Sequence, residues 1–432
     1  MPGGEAKLMN MHAQPQRTPA ETALIDAFGE RLSLLPGDGA VMMKRDDAIE
    51  AIKRGLPSRR VESWHYTDLR RLLNLNPVPD FEPSAAAKAI APVLEGSAVL
   101  PVLNGASTAK LPAVEGVTVQ RLSEKLTDGS VAPGLDPYGT DDAIGALNTA
   151  FVADGYFVDI ADGAELGKPI ELQNLQAGGQ AHVRLLTRVG AGARATIVER
   201  QSGEGAGLVS SVSQLVLGEG AEVTWLIVQE QPDAATHLAQ FKAHLGKDAK
   251  LTLFVMNAGG RLVRQEVVVR TTGEGADFKL RGINLLAGDT HTDVTMVLDH
   301  AVPHTTSTEV IRNVVTGKAR GVFQGRINVH QYAQKTNAKM ACNTLLLSDD
   351  GEFSTKPELE IFADDVVCGH GATVTEIDHD HLFYLMARGI DEKTARGLLV
   401  KAFVAEVIEE LEDEALVEAL EARLDDWFLT HG

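Results

Sequence analysis

Cysteine is nearly absent: Cys342 and Cys368 are the only two in 432 residues. At most one disulfide can form, which argues against a disulfide-stapled secreted fold. Positive charge is also in deficit, since 40 Lys and Arg against 60 Asp and Glu leave a formal net charge of −20. Such a surface excludes a non-specific nucleic-acid binder, which needs a basic face for phosphates, and disfavours docking on anionic membrane. No apolar run approaches the roughly 20 residues that span a bilayer, and the N-terminal stretch lacks a secretory apolar segment. A cytoplasmic protein is therefore expected. A Gly-x-x-x-x-Gly-Lys-[Ser/Thr] loop is missing too: Gly167-Lys168 and Gly317-Lys318 lack the upstream glycine, so P-loop ATP hydrolysis is not expected. The glycine-rich GEGAG of Gly203 to Gly207 sits among β-type sequence with no helix behind it, and reads as a turn rather than a dinucleotide site.

What is present falls into three textures. The first is helical. In TPAETALIDAFGERLSLL, Thr18 is the expected N-cap and Pro19 the first helical residue, with Ala23, Leu24, Ala27 and Phe28 on one face. A second helix is expected over RDDAIEAIKRG, stopped by Gly55 and Pro57, and a short third in YTDLRRLL. Asn76 to Pro92, rich in proline and alanine, reads as a linker. Short strands (SAVLPVLNG, GVTVQRL) and a helix at TDDAIGALNTAF follow.

From Tyr156 short β-rich runs alternate with glycine turns. Gly163, Gly192, Gly220, Gly246 and Gly275 recur at spacings of 29, 28, 26 and 29 residues, each followed by a strand-like run. A strand–turn–strand unit of that length cannot bury its apolar side alone, and stacking on neighbours supplies the core. An antiparallel sandwich would also give short strands and turns, but the near-constant period favours a parallel β-helix. The last texture is helical again. Leu382, Leu385 and Met386 share one face, Gly389 ends that helix, and Asp391 caps the next. Its stripe is Leu398, Leu399, Phe403, Val407 and Leu411. The expected division is 1–95 helical region and linker, 96–155 mixed α/β lead-in, 156–375 β-helix, and 376–432 C-terminal helices.

The sharpest chemical signal is Cys368-Gly-His370. Residues two apart on a strand share a face, so thiol and imidazole project together and suit a soft or borderline metal such as iron or zinc. Two ligands do not close a tetrahedral site. The pair is either half of a site completed by another chain or a structural thiol and imidazole. Cys342 in KMACNTLLL is expected to face the core. His291, His300, His304, His379 and His381 read as solvent or capping residues. The adjacent Asp364 and Asp365 face opposite ways on a strand, a poor geometry for a hydrolytic carboxylate pair. A β-helix carbohydrate enzyme stands as the alternative reading.

Three strings carry a resemblance: LPSRRVESWHYTDLRRLL from Leu56, GRINVHQYAQKTNAKMACNTLLLSDD from Gly325, and KPELEIFADDVVCGHGATVTEIDHDHLFYLMARGI from Lys356. Together they resemble the SufB/SufD family, the scaffold subunits of SUF iron–sulfur cluster assembly, and the first resembles its SufD branch. The resemblance implies a mainly β fold, a right-handed parallel β-helix flanked by helical regions. It implies pairing with SufB through the end of the β-helix, and binding of the SufC ATPase through the C-terminal helices, where Phe403, Val407 and Leu411 are the expected contacts. It places His370 at the SufB–SufD interface, with Cys368 beside it, as a shared metal and cluster-assembly site. The cluster is held transiently in the complex, and reduced FAD is a further cofactor associated with it. A non-enzymatic scaffold is implied, with self-association of the isolated chain as a further expectation. Gly369 stands where many relatives have serine, with little consequence expected.

Overall fold

The computed structural model describes residues 16–76 and 78–431. Three N-terminal helices come first: α1 (Pro19–Arg31), α2 (Gly39–Lys53) and α3 (Leu69–Leu75). Thr18 caps α1 in a reciprocal box, its hydroxyl accepting from Glu21 N at 3.2 Å while the Glu21 carboxylate accepts from Thr18 N at 2.7 Å. The second helix begins earlier than its apolar pattern indicates, because the Asp38 side chain caps it by accepting from Val41 N. That extension buries Arg45, whose guanidinium donates to the carbonyls of Pro36, Thr149, Ala150 and Val152 at 2.7–3.1 Å. The segment that reads as a linker is instead a strap along the solenoid: Ser84 N donates to Ala177 O at 2.8 Å and Ile90 N to the Gln173 side chain at 3.2 Å. Gly179 makes room for it, since a Cβ there would stand 2.7 Å from Glu82 O.

The lead-in contains β1 (Ala98–Leu103), β2 (Val117–Arg121), α4 (Leu122–Thr127) and α5 (Ala143–Phe151). The solenoid then runs through β3 (Asp154–Ile160), β4 (Ile170–Val189), β5 (Arg194–Leu217), β6 (Glu222–Gln229), β7 (Thr236–Leu245) and β8 (Lys250–Asn257). It continues with β9 (Leu262–Thr271), β10 (Asp277–Leu286), β11 (His291–His300), β12 (Thr306–Val315), β13 (Arg320–Val329), β14 (Asn337–Leu346), β15 (Glu352–Ile361) and β16 (Val367–Thr375). It ends in three helices, α6 (His379–Ala387), α7 (Glu392–Glu409) and α8 (Glu414–His431). No helix among the described residues is long and apolar enough to cross a membrane.

The strand order β15-β13-β11-β9-β7-β5-β6-β8-β10-β12-β14-β16 defines two parallel faces. β4 and β5 are long enough to turn the corner and serve both. Stacked partners lie about one coil apart in sequence, as in His291↔Arg320 and Asp277↔Thr306. The solenoid expectation holds, and the sandwich alternative is set aside because every strand from β3 onward pairs in parallel along the stack. GEGAG is the corner of β5, with Gly203 pressed against Gln176.

The period is kept by a column of left-handed residues at one corner: Gly163, Gly192, Gly220, Asp248, Gly275, His304 and Lys335, with φ between +53° and +77°. Gly246 is therefore not the corner residue that its spacing indicates; Asp248 takes that place in its coil. Asp and Asn tolerate this region better than most side chains because they can hydrogen-bond locally.

Side chains alternate between lumen and exterior. The lumen is the main apolar core, with Trp225, Phe241, Phe278 and Phe323 fully buried. A polar column also runs through it: Asn257 donates to Asn284 and Asn284 to Asn313, each at 2.7 Å. Each amide in the ladder donates to the next when coils repeat in register, which leaves only the Asn257 carbonyl at its start without a partner among the described residues. Outside, α7 and α8 cover the even-strand face. The N-terminal helices and α5 cover the start of the odd-strand face. Further along that face the WHYT segment is clamped. Arg264, fully buried, lies 4.3 Å over the Trp64 ring and pairs with Asp293, which also accepts from the Thr67 hydroxyl. Ser63 O accepts from Arg264 at 2.8 Å and from Gln324 at 3.2 Å.

Candidate functional site

β15 and β16 form the last coil, and each has a neighbouring strand on one side only. Their burial falls away accordingly: β14 alternates buried and exposed residues, whereas β16 is half-buried to exposed throughout. Around this open rung Tyr332, Phe362 and Val367 are 82 %, 68 % and 63 % exposed. Unpaired strand edges bordered by large apolar side chains mark a protein-contact surface.

Cys368 and His370 lie on this strand, paired in register with Ala338 and Met340 of the coil below. Ala338 and Met340 belong to the lumen core, and Cys368 packs against it half-buried. Burial raises the Cys368 thiol above its ordinary value, the Ala338 backbone contact opposes this, and the charge of Glu309 adds a smaller upward push. His370 shares the lumenal parity of Cys368 but is exposed, because no further coil lies above it. A Cβ added at Gly369 or Gly371 would meet nothing within 4 Å, so serine would fit at 369. The preceding loop is pinned from below: Lys335 N donates to Asp365 O at 2.6 Å, and Asp365 N donates to the Gln334 side chain at 2.9 Å.

Cys342 faces the lumen one coil below, opposite Ala372, and is fully buried. The Asn313 amide donates to its sulfur at 3.4 Å, and burial pushes its thiol up to about 11. Four residues of strand separate it from the Cys368 column, about 13 Å at 3.3 Å per residue. That is beyond disulfide reach, and both cysteines are free. Among the described residues no group of three or more His, Cys, Asp or Glu could hold a metal ion. The structure brings together two donors, Cys368 and His370, at an open end.

One residue escaped the sequence reading. Glu309 points into the lumen on β12, below Met340 in the same register column. It is fully buried, and neither carboxyl oxygen has a hydrogen-bond partner. Burial raises its pKa to about 8, so it is protonated at neutral pH. The Ser307 hydroxyl, next on the same side and engaged by His300 at 3.2 Å, and the Arg281 charge pull the other way but are outweighed by burial. The signal was in the alternation of TSTEVIRNVV, which sets Glu309 in phase with Ile311, another lumen residue.

Residues 172–403 match the family described as SUF system FeS cluster assembly, SufBD core domain. The chain belongs to the SufBD family. It is 29 % identical to the iron-sulfur cluster assembly protein SufD of Escherichia coli K12, over 87 % of this chain and 90 % of that protein. It is 30 % identical to an iron-sulfur cluster assembly SufBD family protein of Synechocystis sp. PCC 6803, over 87 % and 88 %. The chloroplastic protein ABCI7 of Arabidopsis thaliana is 25 % identical over 91 % and 88 %. The SufBD core stretch thus covers the solenoid from early β4 through the Cys368–His370 strand and into α7.

The C-terminal stripe packs on this chain's own barrel. Val407 is fully buried, and Phe403 and Leu411 pack with it against the even-strand face of this chain's own solenoid. Arg312 of β12 lies 5.2 Å over the Phe403 ring and pairs with Glu406 at 3.0 Å. Val407 is thus committed to the barrel, while Phe403 and Leu411 are half-buried and keep part of their surface outside it. The exposed apolar residues of the region are Phe383, Tyr384 and Met386 of α6 and Leu398 of α7, at 73 %, 56 %, 42 % and 47 % exposure.

Proposed function

We propose that the chain is a cytoplasmic scaffold subunit of the SUF machinery, of the SufD type, without catalysis of its own. It pairs with a SufB-type chain through the open coil of β15 and β16. The observation that carries this is the position of Cys368 and His370: two metal-binding side chains on a terminal strand with an unpaired outer edge, short of the donors that a closed site needs. A partner strand or loop seated there would complete the donor set around a nascent cluster, which is cargo rather than a resident group. In this reading His370, exposed and unencumbered, is the ligand that reaches the partner. Cys368, half-buried with its thiol pushed up, is the secondary ligand and becomes a thiolate only once metal is near.

The SufC-type ATPase docks on the exposed apolar face of α6 and neighbouring α7, through Phe383, Tyr384, Met386 and Leu398. Because α6 follows β16 after three residues, ATP-driven movement of the ATPase pulls directly on the strand carrying Cys368 and His370. The test is co-expression with SufB and SufC chains, followed by iron and sulfide analysis of the purified complex. His370→Ala is expected to leave the complex intact and lower both iron and sulfide. Normal loading of that variant would refute the assignment. Self-association of the isolated chain through the same edge is separable by gel filtration with and without the SufB chain, which is expected to displace it.

A further inference from the structure

A cavity of about 970 Å³ lies between the C-terminal end of α2, the loop that follows it, α3 and the start of α5. Five arginines line it: Arg54, Arg59, Arg60, Arg70 and Arg71. In a chain of net charge −20 such a concentration of one sign requires a reason. Arg70 has one, pairing with the buried Glu21 at 3.0 Å. The other four have no carboxylate partner among the described residues, and each is exposed.

The acids in the wall do not neutralise them. Asp142 is engaged by Lys242 at 3.3 Å and by Gly145 N at 2.7 Å. Asp68 caps α3, accepting from Arg71 N at 3.0 Å. Asp141 is the one lining carboxylate left over. The floor is apolar, with Ile52, Leu56, Ala143 and Ala146 among the lining residues. Guanidinium forks bind phosphate oxygens bidentately, and several forks around one cleft suit adjacent phosphates better than a single carboxylate. An apolar floor beside a fixed charge cluster is the usual composition of a small-ligand site, and the volume suits a nucleotide-sized molecule.

We infer that this cleft binds a small organic diphosphate of the nucleoside diphosphate class, its phosphates held by Arg54, Arg59, Arg60 and Arg71 and its ring on the Ile52–Leu56–Ala146 floor. This reading does not rest on cluster assembly at the open coil, so failure of either leaves the other standing.

Calorimetric titration of the full-length chain with ADP, inorganic pyrophosphate and adenosine tests it. ADP is expected to bind, pyrophosphate more weakly, and adenosine more weakly still, with affinity falling as salt rises. The Arg59→Gln/Arg60→Gln double variant and the separate Arg71→Gln variant should each weaken ADP by about tenfold or more, the loss expected for charge-assisted hydrogen bonds. All three arginines are exposed, so melting temperature should hold. Arg270→Gln, the same charge change as Arg71→Gln but on the solenoid surface, should leave affinity unchanged. Absence of binding by ADP and pyrophosphate at millimolar concentration overturns the proposal. So does binding that survives the double variant, or that Arg270→Gln weakens equally.

Discussion

Glu309→Gln is the substitution whose effect the structure sets most sharply. In the native chain the carboxyl is buried among apolar lumen neighbours with both oxygens unpartnered, and its pKa stands at about 8 against an ordinary 4.5. The unfolded chain releases this proton near 4.5, whereas the native chain keeps it to about 8. Between those values the native state binds one proton more than the unfolded state, so stability declines as pH rises through the interval. At 1.36 kcal/mol per pH unit the full loss is about 5 kcal/mol. Glutamine keeps the shape and cannot ionise. Its amide carries a burial cost of about 1–3 kcal/mol, but that cost is the same at every pH. The variant is therefore expected to gain on wild type by up to about 5 kcal/mol between pH 4.5 and 8.5.

The buried imidazoles of His182 and His237, lowered to about 3, and of His300, lowered to about 4, act in the opposite sense. They remain neutral in the native chain while the unfolded chain protonates them below about 6.5, so they withdraw stability on the acid side. They are common to both proteins and cancel in the difference. Urea denaturation followed by fluorescence of the tryptophans, at half-unit pH steps, measures the two profiles. Parallel curves across the interval would show that Glu309 finds a partner or water in solution, and the burial argument would fail.

Three further outcomes are expected. Val407→Asp should cost at least about 3 kcal/mol in thermal or urea unfolding, as an unpaired charge on a fully buried position, whereas Phe383→Glu should leave stability nearly unchanged and abolish co-purification of the ATPase partner. Asp293→Ala should destabilise by about 1.5–3 kcal/mol, since the buried Arg264 guanidinium loses one carboxylate and keeps Glu266 at 3.2 Å, and limited proteolysis should then cut first near Trp64. Brief alkylation of the native chain, read by mass spectrometry, should label Cys368 well before Cys342, whose thiol is fully buried and held at about 11.

The solenoid was legible because glycine marks corners that need a left-handed residue. The pattern faded after Gly275 because His304 and Lys335 occupy the same backbone position there, and Gly246 misled because Asp248 carries the turn. Thr18 and Pro19 identified a helix start because capping is local, but the start of α2 depended on Asp38, outside the apolar pattern. The Cys368–His370 pair was visible as two residues of one parity on one strand. Its place on the last rung was not, since no sequence period states where stacking stops. The Phe403–Val407–Leu411 stripe was legible but not the surface it meets, because packing on one's own barrel and on another protein require the same apolar surface. Arg264 and Asp293 gave no sign of the Trp64 clamp, whose two halves lie about two hundred residues apart.

The two ends of the stack are unlike. At the start, β2 runs antiparallel to β3 and closes the odd-strand face; at the finish, β15 and β16 both present parallel rungs. Head-to-tail growth needs each terminus to accept the other on both faces, and at the opening end only the even-strand face presents a parallel strand, β1 on β4, the other being closed by antiparallel β2. In the proposed pairing, union of two bare ends is thereby favoured over a fibre grown from finish to start.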